Sequence, residues 1–342
     1  MIRFECDYAT GAHPKVLQAV VDSNLEECPG YGVDDHCEHA REMLKELCQA
    51  PNADVHFLVG GTQTNMTVIA AALRPHQGAI SAVTGHINGH ETGAVEATGH
   101  KVLTLPTEDG KITGAQIDAL CEAHYHDPSV EHLVQPGMVY ISHPTEMGTL
   151  YTVRELEDIR AAADKWHMPV FVDGARLVYG LAAGEVTLAD LARLADVFYL
   201  GGTKAGTLMG EAVVITNDAL KTDFRYLLKQ RGGMLAKGRL LGVQYEALLR
   251  DSLFEEIGSK AVAQALRMKE AFLKKGWPLL FDSPTNQQFP IIPKEQLAVL
   301  SRKYTSCYWC DPDPDHSCVR FVTSWSTRDQ DVDAFIRDVE AL

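Results

Sequence analysis

No apolar run in the chain approaches the ~20 residues of a membrane-spanning helix, and the opening stretch, MIRFECDYATGAHPKV, lacks the apolar centre of a secretory signal. Basic residues are in short supply: 31 Lys and Arg stand against 46 Asp and Glu, for a net charge of −15. Such a balance speaks against a nucleic-acid surface, which needs a basic patch, while leaving room for a small anion held by a few local groups. There is no low-complexity linker and no fixed-period repeat. The eight cysteines form no disulfide framework, so reduced thiols and a cytoplasmic location are expected. What the chain does have is length and core: 342 residues, 46% of them hydrophobic, enough for one large domain and a smaller one.

Short apolar runs alternate with helical periodicity through the first two thirds. The runs are 55–59, 79–83, 101–105, 138–142, 170–173 and 197–200, with helical patterns at 14–26, 38–50, 63–73, 113–124 and 153–166. That rhythm predicts an α/β fold with a mostly parallel sheet covered by helices. After about residue 235 the pattern changes to a long helical stretch, read as broken near Gly258, then short runs at 288–292, 305–309 and 319–323 and a final helix at 329–341. The expected division is an N-terminal segment (1–14), a large domain (15–240) and a small α+β C-terminal domain (241–342).

Ligands of open α/β sheets bind beyond the carboxyl ends of strands, and chemically notable residues cluster there. The run VHFLV leads into GGTQTN, where Gly61 and Thr62 open a helix whose free N–H groups suit an anion; an ordinary glycine turn explains the same residues. Asp173 ends the apolar run PVFVD and needs a partner, either a protonated ring nitrogen or Arg176. Lys204, in GGTKAG, follows another apolar strand; a desolvated lysine offers a neutral amine suited to bonding a carbonyl carbon, or it snorkels to solvent. Thr203 beside it could bind phosphate. His86 follows a third strand end, with His90 and Glu91 just beyond it, and could stack on a ring or move a proton. An anion cup, a buried acid and a strand-end lysine together suit pyridoxal phosphate.

The segments ECDYATGAHP, PGYGVDD, GGTQTN, TGHINGHETGA, VDGARL, GGTKAG, KQRGGMLAKGR and VRFVTSW occur in an order that resembles the threonine aldolase and β-eliminating lyase group of fold-type-I pyridoxal-phosphate enzymes. The resemblance covers nearly the whole chain and implies a transferase-like large domain with a seven-stranded, mostly parallel sheet. It implies that Lys204 carries the cofactor covalently, Asp173 pairs with its ring nitrogen, His86 stacks over the ring, and Gly61, Thr62 and Thr203 bind its phosphate. Arg176 and Arg320 would hold the substrate carboxylate and a neighbouring oxygen, with Asp7 also at the substrate. Sites in this group form between subunits, so a homodimer or homotetramer is implied, with Tyr31, Arg231 and Lys237 reaching a neighbour's cofactor phosphate.

The chain departs from the group's pattern at three places. Cys6 stands where a Ser precedes the Asp at position 7, Leu235 stands where Arg follows GGGM, with Lys237 as a substitute, and Glu146 takes the place of a second active-site His, with His143 nearby. The implied activity is retro-aldol cleavage of the Cα–Cβ bond of β-hydroxy-α-amino acids, threonine to glycine and acetaldehyde first, with His86 or Glu146 as base. A transaminase or β-eliminating lyase on the same fold is the alternative. A third reading, a metal-binding or interaction protein, rests on CYWCDPDPDHSC, where Cys307, Cys310, His316 and Cys318 could ligate zinc, though they crowd into one short stretch rather than two knuckles.

Overall fold

The computed structural model describes residues 1–342. Its centre is a seven-stranded sheet in the spatial order Asp54–Leu58, Glu211–Ile215, Val197–Gly201, Val170–Asp173, Gln135–Ser142, Gln77–Ala82, Lys101–Leu105. Every pairing is parallel except the two made by Glu211–Ile215. The central strands are buried on both faces, which is why they read as continuous apolar runs rather than alternations. One apolar cluster of 46 residues and another of 17 pack the two faces.

Helix starts follow local chemistry. Thr113, Thr152 and Thr187 each form a capping box, and Pro14 occupies the first turn of its helix. The helix Gly61–Ala72 differs: Gly60 at its N-cap supplies no side chain, so its first N–H groups remain open.

The C-terminal unit combines the antiparallel hairpin Cys307–Asp313 and His316–Val322 with Ile291–Pro293, Gln287–Gln288 and the helix Asp329–Ala341. Its core of 13 residues is built on Phe272, Phe321 and Phe335. The chain's first residues join this unit instead of standing apart: Ile2–Arg3 pairs with Tyr304–Thr305, and Phe4 lies in the same core.

One sequence expectation changes. The long helical stretch breaks at Arg250–Ser252, where Asp251 and Ser252 adopt positive φ, and not at Gly258. Gly258 sits inside the helix Leu253–Lys275, where a Cβ would lie 2.4 Å from the Val178 carbonyl oxygen; the glycine marks close helix packing. That helix serves both units, because Phe254 to Val262 pack into the large core and Met268 to Phe272 into the small one. His124, in the last turn of the helix Gly114–Tyr125, is 8% exposed and meets the Tyr125 ring edge-on. No helix is long and apolar enough to cross a membrane, and all eight cysteines are free thiols.

Candidate active site

The ends of these strands open into a cleft of about 770 Å³. Gly61 and Thr62 reach it from the helix start, Asp173 and Arg176 from the segment after Val170–Asp173, and Thr203 and Lys204 from the loop after Val197–Gly201. His86 and Glu146 form another wall, and Arg320 enters from the C-terminal hairpin. Residues far apart in the chain are thus gathered because parallel strands all end on one edge.

Asp173 is 4% exposed, yet its carboxyl is held below the usual range. Burial pushes it up, but the charge of His86 and a ring of donors outweigh burial. Tyr199 Oη and the Ala175 N–H donate to Oδ1; Tyr140 Oη and Asn65 Nδ2 donate to Oδ2, at 2.6 and 2.9 Å. No lysine or arginine pairs with it. Arg176, the alternative partner, turns instead to Asp7, with Nε and Nη2 at 2.8 and 3.0 Å. An ionised carboxylate in a dry wall with only neutral donors is suited to a cationic ring nitrogen.

Lys204 lies across the cleft, its amine 5.9 Å from the centre of the Tyr8 ring and without an ion-pair partner. Burial pushes its pKa down, and Arg176 pushes the same way. Both effects favour the neutral, nucleophilic form of the amine. Gly60 borders empty space: a Cβ added there would have nothing within 4 Å, so the helix N-terminus at Gly61 faces the cleft unobstructed. Thr203 is less available than its place in the sequence implies, since its hydroxyl donates to Glu211 at 2.8 Å.

His86 Nδ1 meets Glu91 Oε1 at 2.8 Å, and Asn65 Nδ2 donates to the same oxygen at 2.7 Å, linking His86 to the Asp173 network. Burial alone would lower the His86 pKa, but Glu91 and Asp173 reverse it and the net shift is upward. Glu146 Oε1 accepts from the His86 N–H at 2.9 Å and from Ser142 Oγ at 2.6 Å; burial pushes its carboxyl up. His143 is not at the site: it is fully buried, its pKa pushed down to about 4, and it lies outside the cleft wall.

Asp7 differs from expectation. It is 2% exposed, and besides Arg176 it accepts from Asn286 Nδ2 at 3.0 Å, so it orients Arg176 rather than facing the substrate space. Arg320 donates to Gln287 at 3.0 Å and has no carboxylate partner. Of the two guanidiniums only Arg176 has a carboxylate partner, and the uncompensated charge of Arg320 fits an incoming carboxylate. Tyr31, Arg231 and Lys237 do not line this cleft. They flank one surface loop, where the Tyr31 N–H donates to the Ala236 carbonyl and the Arg231 carbonyl accepts from Gln63, on the helix that begins at Gly61.

Sequence reading missed Tyr140, Tyr199, Asn65 and Glu211. The two tyrosines looked like apolar strand residues, and only the sheet register turns their hydroxyls to Asp173. Asn65 is the last residue of GGTQTN, one helical turn beyond Gly61, which was a usable signal. CYWC also contributes: Cys307, Tyr308 and Trp309 line the cleft, while Cys318 is buried in the strand opposite Cys310. No three of the His, Cys, Asp or Glu side chains converge in a metal-binding geometry.

The fold is that of the fold-type-I pyridoxal-phosphate enzymes; at 14% identity a structure of SPT with pyridoxal phosphate shares it with a TM-score of 0.72 over 99% of this chain and 86% of that one. Residues 4–289 match the beta-eliminating lyase family model. A solved structure of Leishmania major threonine aldolase superposes with a TM-score of 0.97 at 43% identity, covering 100% of this chain and 99% of that one. A low specificity L-threonine aldolase from Pseudomonas sp. (strain NCIMB 10558) is 30% identical over 348 residues, 99% of this chain and 97% of the relative. The chain belongs to the beta-eliminating lyase family, and within it to the threonine aldolase group.

The buried Asp7–Arg176 pair generates a stability prediction. Burial raises the Asp7 pKa, but Arg176 and Lys204 bring it below its ordinary value. A depressed folded pKa means stabilisation that is complete above about pH 4 and lost as pH falls through the folded value. Asp7→Asn should therefore cost about 3–5 kcal/mol at pH 7 by leaving Arg176 unpaired, and the gap from wild type should narrow below pH 4. Urea unfolding at pH 7 and at pH 3.5 measures both; equal stability of the two proteins at pH 7 would contradict the assignment.

Proposed function

We propose that the protein is an aldehyde-lyase that uses pyridoxal phosphate to cleave the Cα–Cβ bond of β-hydroxy-α-amino acids, with L-threonine or L-allo-threonine giving glycine and acetaldehyde. The observation that carries this reading is the meeting, in one cleft, of an unpaired amine at Lys204 with an ionised carboxylate at Asp173 that no lysine or arginine pairs. The donor set fits the cofactor: Gly61 and Thr62, at an open helix N-terminus, would hold its phosphate, Asp173 would pair with its ring nitrogen, and His86 would stack on its ring. When bound, pyridoxal phosphate supplies an electron sink for the charge left at Cα.

The chain's own residues do the rest. Asp173, by its fixed negative charge, would favour a proton on the ring nitrogen of the bound cofactor. Arg320 and Arg176 hold the substrate carboxylate and so orient the Cα–Cβ bond. His86 is the base that takes the β-hydroxyl proton at Nε2, because Glu91 already occupies Nδ1. Glu146, with burial favouring its protonated form, holds the His86 backbone and supports that position.

Two outcomes follow for the reaction. Purified protein supplied with pyridoxal phosphate should turn yellow and release aldehyde from L-threonine, L-allo-threonine or L-phenylserine; Lys204→Ala should do neither. Keto-acid formation without aldehyde would instead support a transaminase. Replacing His86 by Asn should lower kcat by about 10²–10⁴. Since the base must be neutral and its pKa is raised, wild-type kcat/KM should climb with pH through a midpoint above 6.5, and the Asn variant should lose that limb. An unchanged limb in the variant would reassign the base to Glu146.

We also propose that the active form is a homo-oligomer, with Tyr31, Arg231 and Lys237 turned to a second copy's cofactor phosphate. The exposure of Leu17, Val21, Leu25 and Val33 near Tyr31 in sequence supports an apolar contact surface. Light scattering should give a dimer or tetramer mass, and a monomer that retains full activity would refute the shared site.

A further inference from the structure

Glu211 is a buried carboxyl that the mechanism above does not use. It begins the one antiparallel strand of the main sheet, paired with Leu58 on one side and Gly201 on the other. Those neighbours lead directly into the anion cup at Gly60–Thr62 and into the lysine loop. Glu211 is 4% exposed and lines the same cleft, yet its Oε2 has no hydrogen-bond partner. Its Oε1 accepts the proton of Thr203 Oγ1 at 2.8 Å, and Thr203 Oγ1 accepts the Gly210 N–H at 3.2 Å. With Glu211 ionised, the single hydroxyl proton of Thr203 is committed to it, and none is left for a phosphate oxygen.

We propose that Glu211 is a positioning residue of the anion cup: as a neutral acid it donates a hydrogen bond to Thr203 Oγ1, which releases the Thr203 proton to point at a bound phosphate. Thr203 oxygen can accept from both Gly210 and Glu211 while donating outward, so the relay uses its full capacity. The proposal rests on the cofactor reading above and adds a proton linkage to it.

The surroundings favour the neutral acid. Burial pushes the Glu211 carboxyl up to about 8, against the Thr203 hydrogen bond and the Lys204 charge. The other groups facing it are Asp173, whose charge pushes in the same direction as burial, and the hydroxyls of Tyr199 and Tyr245, which are too buried to ionise. A phosphate dianion arriving in the cup adds a second negative charge and favours protonation further. Above pH 8, phosphate binding must therefore take up a proton.

Pyridoxamine 5′-phosphate tests this, because it carries the phosphate but no aldehyde for Lys204. Calorimetric titration of the cofactor-free wild type, in two buffers of different ionisation enthalpy, counts protons directly and needs no variant. Uptake should rise toward one proton per site by pH 9, and affinity should fall about tenfold per pH unit above about 8. Glu211→Gln places a permanent donor beside Thr203. It should take up about one proton fewer at pH 9 and bind at least tenfold more tightly than wild type at pH 9.5. A purely structural role would weaken binding equally at every pH. Identical proton counts and parallel pH profiles in the two proteins would overturn the relay while leaving the cofactor reading intact. A wild type that neither binds this compound at pH 7 nor turns yellow with pyridoxal phosphate overturns both.

Discussion

A buried carboxylate that no lysine or arginine pairs organises this molecule's cleft. Asp173 ends a strand that is apolar on both faces, and the charge of His86 together with four neutral donors, two of them tyrosine hydroxyls, keeps it ionised there. Neutral donors stabilise the charge without cancelling it. The negative potential therefore extends into the cleft, where it raises the His86 pKa and favours a cation in front of it. Moving either tyrosine donor would require shifting a strand of the central sheet.

Charge around the cleft is separated by type. Asp7 and Asn286 hold Arg176 from behind, while Arg320 has a neutral amide partner and no acid. That side attracts an anion. Lys204 stands between the two regions, desolvated and under the influence of the Arg176 guanidinium, both of which favour loss of its proton. At the far end, Glu211 and Thr203 sit where the phosphate cup begins. The same low-dielectric wall that lowers the lysine pKa raises that of the glutamate, which is how adjacent groups of opposite type both approach neutrality.

Much of this was legible in the residues. Apolar runs bounded by glycine located the strands to within a few residues, because parallel strands buried on both faces leave no polar alternation to confuse with loops. Lys204, Asp173, Gly61 and His86 could be marked from their positions after such runs. The helix break was misplaced because glycine signals both a bend and a tight contact, and at Gly258 the contact wins. The family resemblance implied a substrate role for Asp7; only the fold shows that Arg176 claims both of its oxygens.

The sequence by itself determined the α/β rhythm, the family and the chemical types at the strand ends, since these depend on local periodicity and on residues adjacent in the chain. Only the tertiary structure decided which of those groups pair. Asp173 met tyrosines instead of Arg176, His86 met Glu91, and Thr203 met Glu211. Such choices depend on strand register and on the direction of each side chain, and a one-residue slip would send the tyrosine hydroxyls to the opposite face of the sheet.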